Sequence, residues 1–115
     1  MKVLITNRIP EEIIKKYEEN FEVDYHDSLD FLSKEELKTR IKDAEGLVCP
    51  LSEKIDSEII DAAKNLKIIA NYGAGFDNVD VNYAKEKGII VTNAPASAST
   101  KSTAELTFGL MIDLL

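Results

Sequence analysis

Lys67-Ile68-Ile69-Ala70-Asn71-Tyr72-Gly73-Ala74-Gly75-Phe76-Asp77-Asn78-Val79-Asp80 is the stretch on which the fold turns. It opens with a short, almost continuous apolar run, the pattern of a strand covered on both faces. Two glycines follow at once. They permit positive φ and let the backbone come close to a ligand or to another element. Asp80 is then placed to cap a helix that ends at Gly88, a natural C′ glycine. A strand that passes through a glycine turn into a helix is half of a strand–helix–strand unit.

Working outward, the same kind of run recurs at Lys2–Thr6, Glu22–Tyr25, Gly46–Cys49 and Ile89–Thr92. Counting Lys67–Asn71, the starts are 20, 24, 21 and 22 residues apart. That spacing is too long for hairpins and suits alternating strands and helices. Pro10 is placed in the first turn of a helix carrying Ile13, Ile14 and Tyr17. Ser33 and Glu36 form a capping box ahead of Leu37 and Ile41. Asp56 caps a helix carrying Ile59, Ile60 and Ala63, with Ile55 and Ile60 spaced as a hydrophobic staple. A last helix starts near Ser99, Thr100 or Ser102 and runs to Leu115. The expectation is an α/β fold: an open, five-stranded parallel sheet of flavodoxin-like order 2-1-3-4-5, with helices on both faces.

Composition sets the outer bounds. The 115 residues are 44% apolar and 30% charged, as in ordinary globular domains. No apolar run is long enough to cross a bilayer, and the apolar stretch after Met1 is too short for a secretory signal. Fourteen basic residues against twenty-one acidic ones leave a net charge of -7, which disfavours nucleic acid as a partner. One cysteine, Cys49, and one histidine, His26, exclude an internal disulfide and a multi-cysteine or two-histidine metal site. Together these features point to the cytoplasm.

Ligands on such sheets bind at the carboxyl ends of the strands, near the switch in winding direction. Those ends carry Thr6-Asn7-Arg8, Pro50-Leu51-Ser52, Tyr72-Gly73-Ala74-Gly75 and Asn93-Ala94-Pro95. The Gly73-Ala74-Gly75 turn reads either as an anion-binding nest of amides or as a tight turn. It is no dinucleotide fingerprint, because Asn78 stands where G-x-G-x-x-G needs its third glycine. Asp77 and Asn78 read either as braces of that turn or as capping residues. Ser97 to Thr103 holds five hydroxyl residues in seven, a loop with redundant caps. Arg8 reads as a solvated strand-end arginine, His26 as a surface histidine, and Cys49 as a buried small hydrophobe.

The run 68–80, then Lys87-Gly88-Ile89-Ile90-Val91-Thr92-Asn93-Ala94-Pro95 and Ser102-Thr103-Ala104-Glu105-Leu106, is specific as a set. It resembles the N-terminal part of the D-isomer-specific 2-hydroxyacid dehydrogenases, a family that includes glyoxylate reductase, D-lactate dehydrogenase and D-3-phosphoglycerate dehydrogenase. Leu51-Ser52-Glu53-Lys54-Ile55-Asp56 and Arg8-Ile9-Pro10-Glu11-Glu12 resemble the glyoxylate reductase branch.

The resemblance implies a substrate-binding domain over residues 1–100 and the start of an interdomain helix over 101–115. The Rossmann cofactor domain, with the family's catalytic arginine, glutamate and histidine, lies outside this sequence. No residue here is therefore expected to be catalytic, and no metal is expected. The amides of Gly73, Ala74 and Gly75 match the turn that holds the substrate carboxylate. Leu51 matches a position lining the substrate side chain. Ser99 matches a polar position that is a substrate-contacting asparagine in the related formate dehydrogenases, and Thr103 one near the nicotinamide. The phosphoglycerate enzymes carry an arginine at the position of Asn71 and a threonine at that of Ala74, which disfavours a phosphorylated substrate.

The implied function is hydride transfer between NAD or NADP and C2 of a short 2-oxo or 2-hydroxy acid such as glyoxylate, hydroxypyruvate or pyruvate. The chain alone is expected to be inactive and to hold no nicotinamide tightly. The alternative is a free-standing small-carboxylate-binding or regulatory module. A phosphoacceptor receiver domain is disfavoured, because Thr6-Asn7-Arg8 and Cys49-Pro50 stand where its acidic residues belong. A flavodoxin lacks its hydroxyl-rich loop here. Leu106, Leu110 and Leu114 fall on one face of the last helix, with Phe108, Met111, Ile112 and Leu115 over much of the rest. A helix so apolar all round predicts self-association of the isolated chain, or fraying of its end.

Overall fold

The computed structural model describes residues 1–28, 30–50, 52–72 and 77–93. Strands and helices alternate along these residues. They are β1 (Lys2–Ile5), α1 (Glu11–Asn20), β2 (Glu22–Tyr25), α2 (Lys34–Ile41), β3 (Gly46–Pro50), α3 (Ser57–Ala62), β4 (Ile68–Tyr72), α4 (Val81–Glu86) and β5 (Ile90–Asn93). All the strand pairings are parallel, and the order across the sheet is β2-β1-β3-β4-β5. This is the expected five-stranded sheet with its expected order. The winding direction switches between β1 and β3. The last helix expected from the sequence lies outside the described residues.

The register aligns Asp24, Leu4, Leu47, Ile69 and Val91 in one row across the sheet. Side chains alternate between the faces of a strand. Leu4, Leu47, Ile69 and Cys49 pack with Leu37 and Ile41 of α2, Ile59 and Ile60 of α3, and Ala84 of α4. Val3, Ile5 and Val48 point the other way, onto Ile13, Ile14 and Tyr17 of α1. Both faces of β1 and β3 are thus apolar, which explains why their sequences run continuously rather than alternating.

The helix starts follow their sequence signals. Asp56 accepts a hydrogen bond from the amide of Ile59 at 3.1 Å, and Asp80 one from Tyr83 at 3.1 Å. Ile55 and Ile60 are both buried in one cluster, as the staple requires. Ser33 Oγ accepts from the amide of Glu36 at 3.2 Å and donates to the Glu36 carboxylate at 3.2 Å. At the far end of α4, Gly88 takes φ +76°. Its amide donates to the carbonyl of Lys85 and that of Ile89 to Ala84, at 3.0 and 2.9 Å, a Schellman closure. A Cβ on Gly88 would meet nothing within 4 Å, so the backbone angle, not space, calls for glycine there.

Several local readings need correction: β1 ends at Ile5, and β4 and β5 each lie one residue later than expected, at Ile68–Tyr72 and Ile90–Asn93. Pro10 sits one residue before α1, as its N-cap, and its carbonyl accepts from the amides of Ile13 and Ile14. Its extended ψ of 137° keeps it out of the helical turn. β3 also runs one residue further than expected, onto Pro50. A proline is tolerated in this central strand because it is the last residue, where a missing N–H breaks no interior ladder bond.

Candidate functional site at the carboxyl edge of the sheet

The carboxyl ends of β3 and β4 lie side by side, with Cys49 opposite Asn71 and Pro50 opposite Tyr72. Asn71 is fully buried inside an otherwise apolar strand. A buried amide needs partners, and Asn71 finds one in Asn78. Asn71 Nδ2 donates to Asn78 Oδ1 at 2.8 Å, and Asn78 Nδ2 donates back to Asn71 Oδ1 at 2.9 Å. The Cys49 thiol also points at Asn71 Oδ1, at 3.5 Å.

Asn78 reaches further. Its Nδ2 also donates to the carbonyls of Glu53, at 2.9 Å, and Pro50, at 3.3 Å. The amide of Glu53 closes a turn on the Pro50 carbonyl at 3.1 Å. On the backbone, Ile55 donates to the carbonyl of Asn78 at 2.7 Å, and Asp80 donates to that of Ile55 at 3.0 Å. Ile55 and Val79 thereby form a short parallel bridge outside the main sheet. The segments 50–55 and 78–80 are stitched together by side-chain and main-chain bonds. Among the described residues the Asn78 side chain bonds to Asn71, Pro50 and Glu53, while Asp80 does the capping; the glycine turn it was expected to brace lies outside them.

Glu53 is the charged residue of this region that the sequence did not single out. The residue is 5% exposed, and among the described residues its Oε2 has no hydrogen-bond partner. Burial pushes its carboxyl above the usual carboxylate range, against an opposing pull from His26. The folded chain therefore holds this proton to higher pH than the unfolded chain does. The contribution of Glu53 to stability is complete below the ordinary carboxylate range and is lost as pH rises through its folded value. Glu53→Gln removes the charge and keeps the shape. It is expected to raise stability at about pH 7 and to leave it nearly unchanged at about pH 4. Thermal unfolding at the two pH values checks this, and equal shifts at both would contradict it.

Cys49 is 1% exposed, and burial, with Glu53 adding to it, drives its thiol far above the ordinary range. It is the inert, buried cysteine that its apolar setting implied. Arg8 is exposed at its strand end, as expected, and its Nε donates to Asp27 Oδ1 at 3.0 Å. Both partners are more than half exposed, so the pair adds little stability. His26 is half-buried rather than fully exposed. Its Nε2 lies 2.7 Å from the Asp30 carbonyl, which can only accept, so Nε2 carries the proton. Nδ1 lies 3.4 Å from Arg40 Nη1. Arg40 clasps Asp24 through two nitrogens and holds that carboxyl below its usual value. These groups lie at the β2 edge of the sheet.

The substrate-side residues expected from the sequence, Leu51, Gly73, Ala74, Gly75 and Ser99, lie outside the described residues, as does Thr103. The neighbours of two of these segments are described. Pro50 and Glu53 flank Leu51, and Asn71 and Asn78 flank the 73–75 turn. Among the described residues, no three His, Cys, Asp or Glu side chains cluster as a metal site. No helix among them is long and apolar enough to cross a membrane. The lone amide of Asn71 inside an apolar run was the one signal in the sequence that could have revealed the bracket.

Residues 3–109 match the family model described as D-isomer specific 2-hydroxyacid dehydrogenase, catalytic domain. A Staphylococcus haemolyticus protein whose name assigns it provisionally to the 2-hydroxyacid dehydrogenases is 54% identical over 111 residues. The match takes in 96% of this chain and 35% of that protein, so the chain spans about a third of the relative's length. Among solved structures, the TT0316 protein of Thermus thermophilus superposes with a TM-score of 0.78 at 41% identity, covering 99% of this chain and 36% of that one. NAD+-bound 3-phosphoglycerate dehydrogenase from Entamoeba histolytica gives 0.71 at 34% identity, over 83% of this chain and 33% of that one. An NADPH-dependent glyoxylate/hydroxypyruvate reductase from Sinorhizobium meliloti, solved with NADP and malonate, gives 0.59 at 28% identity, over 81% and 28%.

Proposed function

We infer what this domain does from one premise: the chain belongs to the D-isomer specific 2-hydroxyacid dehydrogenases and matches their catalytic domain. We propose that it is the substrate-binding part of an NAD- or NADP-dependent oxidoreductase that acts on a short 2-oxo or 2-hydroxy acid such as glyoxylate or hydroxypyruvate. In this reading residues 1–100 bind substrate, and 101–115 begin the helix that leads to a cofactor domain. The protein works in the cytoplasm. The amides of Ala74 and Gly75, beside Gly73, orient the carboxylate. Leu51 lines the side-chain pocket, Ser99 contacts the substrate, and Thr103 lies beside the nicotinamide.

The observation that carries the proposal is the bracket at the carboxyl edge of β3 and β4. It ties together the two loops that hold Leu51 and the 73–75 turn. The malonate held by the Sinorhizobium meliloti reductase is a small carboxylate of the proposed class. Asn71 is neutral and buried, and it is bonded to Asn78. That arrangement favours a short acid over a phosphorylated one, which would call for a cation. When bound, the nicotinamide supplies a hydride to C2, and a proton goes to the carbonyl oxygen to give the 2-hydroxy acid. The 73–78 turn does not suit the dinucleotide itself. Asn78 occupies the place of the third glycine, and its side chain is committed to the bracket. The cofactor is accordingly assigned to the part of the protein that follows. What this chain contributes is orientation and substrate choice.

Oxalate, which resembles the carboxylate and C2 oxygen of the substrate, tests the assignment. In amide spectra of the chain, Ala74 and Gly75 are expected to shift on titration, with a dissociation constant in the millimolar range. Shifts confined to other amides would move the site elsewhere. With a cofactor domain attached, glyoxylate-dependent oxidation of NADH or NADPH is expected. The chain alone should show none.

A further inference from the structure

We propose that the cleft between residues 31–37, at the entry to α2, and residues 52–54 binds a small apolar α-amino acid, with its ammonium on Glu53, its carboxylate on Lys54 and its side chain against Phe31; this does not rest on the function proposed above. The cleft has a volume of about 250 Å³, and Phe31, Leu32, Leu37, Glu53 and Lys54 line it, all of them described residues. That is below the roughly 300–1,000 Å³ of pockets that take drug-sized ligands, so the cleft suits a smaller molecule.

Each wall lacks something that an amino acid carries. Glu53 is 5% exposed, and among the described residues its Oε2 accepts no hydrogen bond. A buried carboxylate left in that state is costly, and an ammonium brings both the charge and the donors it lacks. His26 acts on Glu53 only through its charge. Its ring nitrogens lie against other groups, 2.7 Å from the Asp30 carbonyl and 3.4 Å from Arg40 Nη1. Two lysines line the cleft. Lys34 is already taken, with its Nζ 2.9 Å from Asp56 Oδ2 and 2.7 Å from Glu58 Oε2. Lys54 is exposed and makes no ion pair among the described residues, which leaves it to receive a carboxylate. Phe31 is 57% exposed, beside Leu32, which is buried with Leu37 in the core under α2. An aliphatic side chain laid on Phe31 would take that apolar surface out of water. A plain carboxylate ion would meet the charge of Glu53, and a plain amine would meet both lysines. A zwitterion with an apolar side chain matches every wall.

L-Leucine is the probe, titrated into the full chain while the Phe31 ring and the Glu53 and Lys54 amides are followed by their chemical shifts. All three are expected to move, with a dissociation constant in the millimolar range. Glu53→Gln removes the charge and keeps the shape, and it should weaken leucine binding about tenfold or more, the worth of a hydrogen bond to a charged group. Lys54→Gln, at the exposed rim, should weaken it about two- to fivefold. Isocaproate, which is leucine without the ammonium, and isoamylamine, which is leucine without the carboxylate, should each bind more weakly than leucine. Shifts absent from Phe31, Glu53 and Lys54 would overturn the site, and so would an unaltered affinity in Glu53→Gln. Isocaproate or isoamylamine binding as tightly as leucine would overturn the assignment to an amino acid. Should Glu53→Gln fail to fold, the comparison of leucine with its two analogues on the unsubstituted chain decides.

Discussion

Iodoacetamide is expected to leave Cys49 unlabelled in the folded chain and to label it promptly once the chain is denatured. The thiol lies in β3, between Leu47, Val48 and Pro50, and faces the cluster shared with Leu4, Ile55 and Ile69. Reagent cannot reach an atom in a residue that is 1% exposed. Burial also suppresses the thiolate, which is the species that attacks. Labelling must therefore wait for the sheet to open. A domain with about 5 kcal/mol of stability or more spends less than about one part in 10³ of its time open. Alkylation in native buffer should be slower than in denaturant by at least that factor. Labelling at the rate of a free cysteine would show that the carboxyl end of β3 is not packed as described.

Ile69→Ala is expected to lower the unfolding free energy by about 2–5 kcal/mol. Ile69 is fully buried in the register row between Leu47 and Val91, in the layer covered by α2, α3 and α4. Removing its branched side chain leaves a cavity between a sheet and helices that cannot close over it. The loss is a large fraction of what a domain of this size has. The same variant should speed Cys49 alkylation by roughly 30-fold to several thousandfold, the same free energy read as a population. A denaturant midpoint within error of the unsubstituted chain would mean that Ile69 is not at the centre of this layer. Ile69 lies two residues before Asn71 on β4, so a milder change there also reports on the frame beneath the site.

What lies close along the chain was legible in the sequence by itself. The spacing of five apolar runs implied the parallel sheet, and right-handed crossovers limited its order. Ser33, Asp56 and Asp80 cap helices, and Gly88 ends one, because each interaction joins groups three to five residues apart, at distances set by the helix itself. The family resemblance, too, was carried by contiguous motifs.

Only the tertiary structure decided what the polar residues do. Asn78 is 28 residues from Pro50 and 25 from Glu53, and it meets both because β3 and β4 are neighbours. Arg8 finds Asp27 across 19 residues, and Arg40 finds Asp24 across 16, on opposite sides of no local motif. Glu53 looks like a solvated loop carboxylate in the sequence and is buried in the fold. The physical reason is the same in each case. An apolar residue needs only to leave water, and its periodicity along the chain says which way it faces. A polar side chain needs a particular partner at a particular angle, and its position is settled only when distant strands come together.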